Sequence, residues 1–213
     1  MRVVALLARP PGVEVLKALF ARPKVDIIRC YTPRYLPKAD GGIESPEGTE
    51  MVLLCREMDT HCELTQPQFP LDIPPCDLLL SCNWRQMITP EQTSQARFAI
   101  NIHRGDLPRY KGARPVRQAI LAGDTQTCIT AHEMTQELDA GAPIAKVYSN
   151  RKTMGMQGLI DPGSESALDQ AEAIERAALM PLYAPLTGLL ISHVNRRLGL
   201  TDDGWDGLGP GGS

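Results

Sequence analysis

The sequence predicts an α/β fold, a doubly wound and mostly parallel sheet of the Rossmann-like type, and three observations support this. Apolar runs of strand length alternate with stretches of helical periodicity through the first half of the chain. The run 77–82, Asp-Leu-Leu-Leu-Ser-Cys, is typical of a strand buried on both faces of a parallel sheet. Polar residues follow two of the predicted strands, at the edge where such sheets bind ligands.

The individual elements follow from local patterns. Apolar runs predict strands at 2–8, 25–32, 77–82, 97–102, 127–134 and 143–149. Apolar residues at helical spacing predict helices at 12–21 and 47–58. A short helix is also expected at 114–121. Thr89 is the expected cap of a further helix, with Pro90 in its first turn. A C-terminal helical segment is expected at 164–198, which Pro181 and Pro185 must kink or divide.

The composition is that of a soluble globular domain. The chain has 213 residues, is 43% hydrophobic and 22% charged, and carries a net charge of −3. We therefore expect one domain over 1–200 and a Gly-rich, disordered tail over 201–213. A net charge of −3 gives no electrostatic case for nucleic-acid binding, which usually needs a basic face, so no nucleic-acid partner is expected. The sequence shows neither a cleavable leader nor a run of transmembrane length, so we expect a cytoplasmic protein with no membrane partner.

The six cysteines are scattered without a Cys-x-x-Cys pair, which favours reduced structural thiols over disulfides. Cys55 and Cys62 could act as metal ligands together with His61. Their spacing fits no zinc pattern and a fourth ligand is missing, so no metal site is expected.

The most informative stretch is Asn101-Ile-His103, which ends the predicted strand 97–102. Because strand side chains alternate between faces, Asn101 and His103 should point the same way. A carboxylate from Asp139 would complete a group able to polarise a carbonyl, hold an oxyanion and move a proton. Alternatively, Asn101 is a strand-end cap and His103 a loop histidine bonded to the backbone.

Five motifs occur in order through the middle of the chain: Asn101-x-His103, Leu107-Pro108, Gly112, Ala-Gly-Asp-Thr at 122–125 and Leu-Asp-x-Gly at 138–141. Together they resemble the catalytic domain of the folate-dependent formyltransferases, the family of glycinamide ribonucleotide, methionyl-tRNA and sugar N-formyltransferases. The resemblance implies that 1–200 is a formyltransferase catalytic domain. It also implies that the Asn101 amide and a protonated His103 meet the oxyanion. In that scheme Asp139 raises the pKa of His103, orients its ring and takes the amine proton.

The resemblance implies that the formyl donor is 10-formyltetrahydrofolate, bound largely by backbone between the loops 83–88 and 133–141, with no metal. The candidate donor-binding residues are Trp84, Arg85, Gln86, Met87, Glu137, Leu138 and Gly141. Trp84 could instead be a half-buried anchor.

The acceptor is expected to be the primary amine of a small metabolite, such as an amino sugar nucleotide or an amino acid derivative. Arg9, Asp106 and Lys111 are the candidate acceptor-binding residues. Arg9 could equally be a solvated surface arginine, and Asp106 could bond loop amides. The cations of the segment 109–117 could contact an anion or form a solvated helix face. Arg104-Gly105-Asp106 departs from the Pro-Ser-Leu common in the family, which leaves the acceptor open.

Two alternative functions remain at this stage. A 10-formyltetrahydrofolate hydrolase would use the same residues with water as nucleophile, but the chain begins directly at the first strand, without the regulatory domain of the known hydrolases. A non-catalytic folate- or metabolite-binding protein would have kept only the fold. The length leaves no room for the second domain of the tRNA enzymes, which also favours a small acceptor. An apolar stripe through 179–190 suits packing within a monomer or a homodimer contact.

Overall fold

A computed structural model describes residues 1–36, 43–66, 71–152 and 164–200. The strands are β1 (Arg2–Leu7), β2 (Asp26–Pro33), β3 (Tyr35–Leu36), β4 (Ile43–Glu44), β5 (Cys62–Thr65), β6 (Cys76–Cys82), β7 (Ala96–His103), β8 (Gln126–Glu133) and β9 (Pro143–Asn150). The helices are α1 (Arg9–Phe20), α2 (Pro46–Glu57), α3 (Pro90–Thr93), α4 (Pro115–Leu121), α5 (Glu165–Leu179) and α6 (Tyr183–Leu198). The predicted tail at 201–213 and most of the predicted loop at 150–164 lie outside the described residues.

Seven strands form one sheet in the order β5-β2-β1-β6-β7-β8-β9. The first five run parallel, whereas β8 is antiparallel to β7 and β9 antiparallel to β8. The predicted fold class, a doubly wound and mostly parallel α/β sheet with a C-terminal helical segment, is therefore confirmed. Because β1, β6 and β7 are parallel neighbours, the segments that follow them meet at one edge of the sheet.

The core lies on both faces of the central strands. In β1, Val3, Ala5 and Leu7 belong to the larger apolar cluster, whereas Val4 and Leu6 belong to a second cluster on the opposite face. All five side chains are fully buried, as expected of a central parallel strand. Helices α1 and α6 pack against each other over the larger cluster.

Three features differ from the sequence-based expectation. The short antiparallel strands β3 and β4 were not predicted. Strand β5 was not predicted, because it spans only four residues and its Cys-Glu-Leu-Thr sequence has no apolar run. The segment Glu165–Leu198 is apolar enough, by length and hydropathy, to cross a membrane, although no such run was expected. Pro181 divides it with a 3₁₀ turn, as expected, whereas Pro185 lies in the first turn of α6 and does not divide that helix. Its Leu179, Leu186 and Leu190 side chains are buried within the chain's own core, which is typical of a core helix pair.

The β8–β9 hairpin closes with very little space around Gly141. A β-carbon on Gly141 would lie 1.8 Å from the carbonyl oxygen of Glu133, the last residue of β8. The Glu133 N–H in turn donates to the carbonyl of Ala142. The pairing of β8 with β9 also shifts register between Ala131 and His132, which re-aims the end of the strand. Gly141 is thus required for the backbone approach that closes this hairpin.

We expect Gly141→Ala to destabilise the fold by more than about 3 kcal/mol, because the new methyl group must displace backbone rather than a side chain. Denaturant unfolding followed by circular dichroism measures this change. Gly123→Ala is the matched control: Gly123 has φ +74° but nothing within 4 Å of an added β-carbon. It should cost only about 1–2 kcal/mol of left-handed strain. Equal losses in the two variants would contradict the steric role of Gly141.

Candidate active site

Asn101 and His103 lie at the C-terminal end of β7 and share one face of the strand, as the alternation predicts. The Ser81 hydroxyl on β6 donates to Asn101 Oδ1 at 2.6 Å. On the other side, Asn101 is paired in register with His132 of β8, and Asn101 Nδ2 lies 3.1 Å from His132 Nε2. Neighbouring strands on both sides therefore determine which way the amide of Asn101 faces.

Asp139 lies between the two histidines. Its Oδ2 is 3.3 Å from His103 Nδ1, and its Oδ1 is 3.5 Å from His132 Nε2. The backbone N–H of Gly112 donates to Asp139 Oδ2 at 2.9 Å. Asp139 is buried and has φ +51°, a left-handed conformation that Asp adopts more readily than most residues. The structure thus brings Asn101, His103 and Asp139 together, as the sequence predicts.

The ring of His103 is buried behind Asp139 and does not line the cleft described below. Its Nε2 lies 2.7 Å from the carbonyl oxygen of Tyr110, so Nε2 carries the proton and donates it. Its Nδ1 therefore faces the carboxylate. A β-carbon on Gly105 would lie 2.9 Å from His103 Nε2, so a glycine keeps this ring in place.

The electrostatics of the pair revise one expectation. Burial lowers the pKa of His103 below its ordinary value, and this outweighs the raising effect of the Asp139 charge. Burial raises the pKa of Asp139, but the Gly112 N–H that donates to Oδ2 helps to lower it overall. The free protein at neutral pH therefore holds an ionised Asp139 beside a neutral His103, whereas the sequence analysis expected a protonated His103.

His132 is a site residue that the sequence analysis missed. Its Nδ1 lies 2.8 Å from the carbonyl oxygen of Glu133, so Nδ1 carries the proton and a neutral ring accepts at Nε2. It is nearly the last residue of a strand whose preceding run, Cys-Ile-Thr-Ala at 128–131, is buried and mostly apolar. An ionisable residue at the end of such a run was a usable signal, but the register that pairs it with Asn101 is not visible in the sequence.

A cleft opens beside this cluster, with Asn101, His132 and Asp139 on its wall. The remaining lining residues are Ser81, Trp84, Gln86, Met87, Ile88, Thr93, Met134, Thr135, Gln136, Glu137 and Leu138. Five of the seven predicted donor-binding residues are among them, whereas Arg85 and Gly141 are not. Met87 and Leu138 are large apolar residues that are 79% and 67% exposed, so a ligand bound in the cleft could cover both.

Trp84 forms part of the wall of this cleft and also packs against the second apolar cluster. Its indole Nε1 is buried without a hydrogen-bond acceptor among the described residues. The anchor role that the sequence analysis left open is therefore present. The donor group without an acceptor is a site that a ligand carbonyl or ring nitrogen could satisfy.

Two predicted acceptor-binding residues are engaged in ion pairs. The Asp106 carboxylate accepts from Lys146 at 2.7 Å and from the Tyr148 hydroxyl at 3.2 Å. Lys111 donates to Glu137 at 3.2 Å. The predicted basic cluster is likewise paired: Arg114 and Arg117 both contact Glu165 and Asp169 of α5.

The third predicted residue, Arg9, lies within a different group of cations. Arg9, Arg85 and Arg104 each follow one of the adjacent strands β1, β6 and β7. Burial and the charges of Arg85 and Arg104 lower the pKa of Arg9. Arg104 donates to Asn83 Oδ1 at 3.0 Å, and no ion pair is seen for Arg9 or Arg85 within the part of the chain that the structure describes. Three positive charges thus converge at the sheet edge that carries Asn101.

Comparison with known proteins agrees with this geometry. Residues 71–152 match the formyl transferase family model. The methionyl-tRNA formyltransferase of Rhodopirellula baltica is 41% identical over 70 residues, 32% of this chain and 21% of that protein. The methionyl-tRNA formyltransferase of Microcystis aeruginosa is 26% identical over 210 residues, 87% of this chain and 63% of that protein. The chain thus spans less than two thirds of the length of these relatives.

Solved structures share the fold. Phosphoribosylglycinamide formyltransferase from Anaplasma phagocytophilum superposes with a TM-score of 0.64 at 21% identity, covering 96% of this chain and 92% of that one. A 4-N formyltransferase from Francisella tularensis gives 0.56 at 15% identity, covering 92% and 69%. The matched family model spans Asn101, His103 and Asp139, the residues that the structure brings together. The chain is thus similar to formyltransferases over the region that holds these three residues.

Proposed function

We propose that this protein transfers a formyl group from 10-formyltetrahydrofolate to the primary amine of a small anionic metabolite, such as an amino sugar nucleotide or an amino acid derivative. The observation that carries the proposal is the position of Asn101 and Asp139 side by side on the wall of a cleft. A carbonyl carbon held between them would meet an N–H donor and an ionised carboxylate, which is what acyl transfer to an amine requires.

The cleft suits the donor. Trp84, Met87 and Leu138 supply apolar surface for a flat heterocycle, and the indole Nε1 of Trp84 offers a buried donor. Residues 134–139 also line the cleft, where backbone groups can pair with ring nitrogens. Binding there places the formyl group next to Asn101. No metal takes part in the proposed reaction.

In the transfer step, the amine nitrogen bonds to the formyl carbon and the bond from that carbon to the folate nitrogen breaks. The formyl oxygen carries negative charge in the transition state. Asn101 Nδ2 has two hydrogens: one is directed at His132 Nε2, and the second is available to the oxyanion. Because Ser81 and His132 hold the amide, little reorganisation is needed when the charge develops.

The attacking amine gains positive charge and must lose a proton, which the folate nitrogen finally takes up. Asp139 lines the cleft and is ionised, so it attracts the charged nitrogen and accepts its proton. His103 Nδ1 lies 3.3 Å behind the carboxylate, and burial keeps this ring neutral. The pair can therefore hold the proton during the step. His103 acts through Asp139 and is a positioning and proton-holding residue.

The acceptor class follows from the arginines. Arg9, Arg85 and Arg104 surround the carboxyl ends of three adjacent strands, so a phosphate or carboxylate of the acceptor would be bound there. The other cations near the site, Arg114 and Arg117, are occupied by the acidic face of α5. The curated relatives are named for methionyl-tRNA. We favour a small acceptor because the chain is acidic overall and this arginine group is compact.

The decisive experiment incubates the protein with 10-formyltetrahydrofolate and a panel of amines: amino sugar nucleotides, amino acid derivatives and methionyl-tRNA. We expect the product tetrahydrofolate to appear only with an anionic small amine. Asp139→Asn should reduce kcat by about 10²–10⁴-fold because it removes the proton acceptor. Its affinity for 5-formyltetrahydrofolate, measured by calorimetry, should change little.

Each alternative gives a different result. Formate released without any amine identifies a hydrolase, and turnover on methionyl-tRNA alone overturns the small acceptor. Folate binding without turnover on any member of the panel, with Asp139→Asn indistinguishable from the original protein, indicates a binding protein. Absence of folate binding by folded protein would refute the donor assignment itself.

A second prediction concerns the arginine group. Arg9→Ala should raise KM for the anionic acceptor by roughly tenfold, as expected for loss of one charged hydrogen bond. The KM for the folate donor should stay unchanged. Lys111→Ala is the control, because Lys111 is already paired with Glu137. Steady-state kinetics with each substrate varied in turn measures both constants, and a change confined to the donor would refute the assignment.

A third prediction concerns pH. Because burial lowers the pKa of His103, its ring should titrate below about 6.5 when followed by NMR in the free protein. Asp139→Asn should lower the pKa further, because the carboxylate is the group that raises it. In the original protein kcat should fall as the pH drops through this pKa, since a protonated ring can no longer share the proton. Titration of His103 above 7 would refute the neutral-ring assignment.

A further inference from the structure

Three cysteines lie together at the far side of the sheet from the proposed active site. Cys30 is on β2, Cys62 on the edge strand β5, and Cys55 on α2, which packs over both strands. Cys30 and Cys62 are direct partners in the parallel ladder. The three sulfur atoms lie within 4.8 Å of one another. Strands β2, β1 and β6 separate β5 from β7, so this cluster is independent of the formyl-transfer residues.

We propose that Cys30, Cys55 and Cys62 form a binding site for a thiophilic divalent cation of the zinc class. Sulfur atoms are about 3.8 Å apart in a tetrahedral zinc site with Zn–S bonds of about 2.3 Å. The cluster therefore needs at most about 1 Å of contraction per pair. Side-chain rotation of a cysteine can supply such a movement, because each sulfur is attached through one rotatable bond.

The site has an entrance and an open fourth position. Cys30 and Cys55 are fully buried, whereas Cys62 is half-buried and lines a surface cavity together with His61 and Arg56. A metal ion can therefore enter from solvent past Cys62. The exposed imidazole of His61 or a water molecule can take the fourth position. A neutral imidazole or a water molecule commonly occupies the remaining position of a zinc ion that protein side chains hold at three positions.

The chemical state of the thiols also suits a metal. The thiolate is the form of cysteine that binds metal, and the clustered sulfur atoms of Cys30, Cys55 and Cys62 can all supply it to one ion. Binding would displace the thiol protons into solvent, leaving three thiolates around a doubly charged ion.

Cys30 completes the set that the sequence analysis left incomplete. The sequence offers Cys55, His61 and Cys62 as ligands, but their spacing fits no zinc pattern and a fourth ligand is missing, so it predicts no metal site. The cysteine that supplies it lies 25 residues before Cys55, on a strand that pairs with the unpredicted β5. No sequence spacing links them, because the parallel ladder and not a local motif brings them together.

The test is a titration of the reduced, chelator-treated full-length protein with Co²⁺, followed by Zn²⁺. We expect one Co²⁺ per chain with intense thiolate-to-cobalt absorption in the near ultraviolet, displaced by one equivalent of Zn²⁺. Cys62→Ser should weaken Zn²⁺ binding by on the order of a hundredfold, and Cys62→Ala should do the same. Because Cys62 is half-buried, both variants should keep the circular dichroism spectrum of the parent.

The control is Cys76→Ser, which changes a buried cysteine on β6 outside the cluster and should leave the absorption intact. Absence of the charge-transfer band in the parent protein would overturn the proposal, as would a Zn²⁺ affinity unaffected by either Cys62 variant. Loss of two free thiols on mild oxidation without any metal uptake would also overturn it, because the cluster would then be a disulfide-forming pair.

Discussion

The structure of the site depends on one carboxylate. Asp139 has a left-handed backbone conformation, which costs about 1–2 kcal/mol for a residue with a β-carbon. The cost is offset by the Gly112 N–H, which donates to the carboxylate where it lies between two histidines. Those histidines come from β7 and β8, which are antiparallel neighbours, and the register opposing Asn101 and His132 brings both within reach. Hairpin closure at Gly141 then sets where the carboxylate can lie.

The charges around this carboxylate are arranged so that the two substrates would meet different surfaces. The cleft beside Trp84 and Leu138 is apolar, with exposed large side chains and few charges. The ends of β1, β6 and β7 carry arginines, and the acidic face of α5 neutralises the neighbouring Arg114 and Arg117. An anion approaching the site is therefore attracted to one group of cations. This division supports a folate on one side and an anionic amine on the other.

Features of the structure that follow from neighbouring residues in the sequence were predicted correctly. Alternation along one strand placed Asn101 and His103 on the same side, and the strong apolar run of β6 identified a central strand. The contact between His103 and Asp139 spans 36 positions and was inferred through family resemblance, because spacing alone does not determine it. The pairing of His132 with Asn101 and of Cys30 with Cys62 depends on strand register, which cannot be read from a single sequence.

Arg85 shows the same limit in another way. It lies in the loop that supplies Trp84, Gln86 and Met87 to the cleft, yet its charge interacts with that of Arg9. A loop whose neighbouring residues face different ways can serve two surfaces at once. The sequence therefore predicts which loop holds a residue more readily than it predicts which surface the side chain faces.

The protonation state of the histidine determines what the carboxylate can do. If His103 were protonated in the resting protein, its positive charge would neutralise that of Asp139. The carboxylate would then attract an ammonium group only weakly. Burial disfavours that state, since the ring is 8% exposed and its Nε2 proton is already donated to the Tyr110 carbonyl. Asp139 therefore presents a full negative charge to the cleft while a neutral base stands behind it. The same burial that lowers the pKa of His103 would keep the carboxylate available to the amine in the proposed reaction.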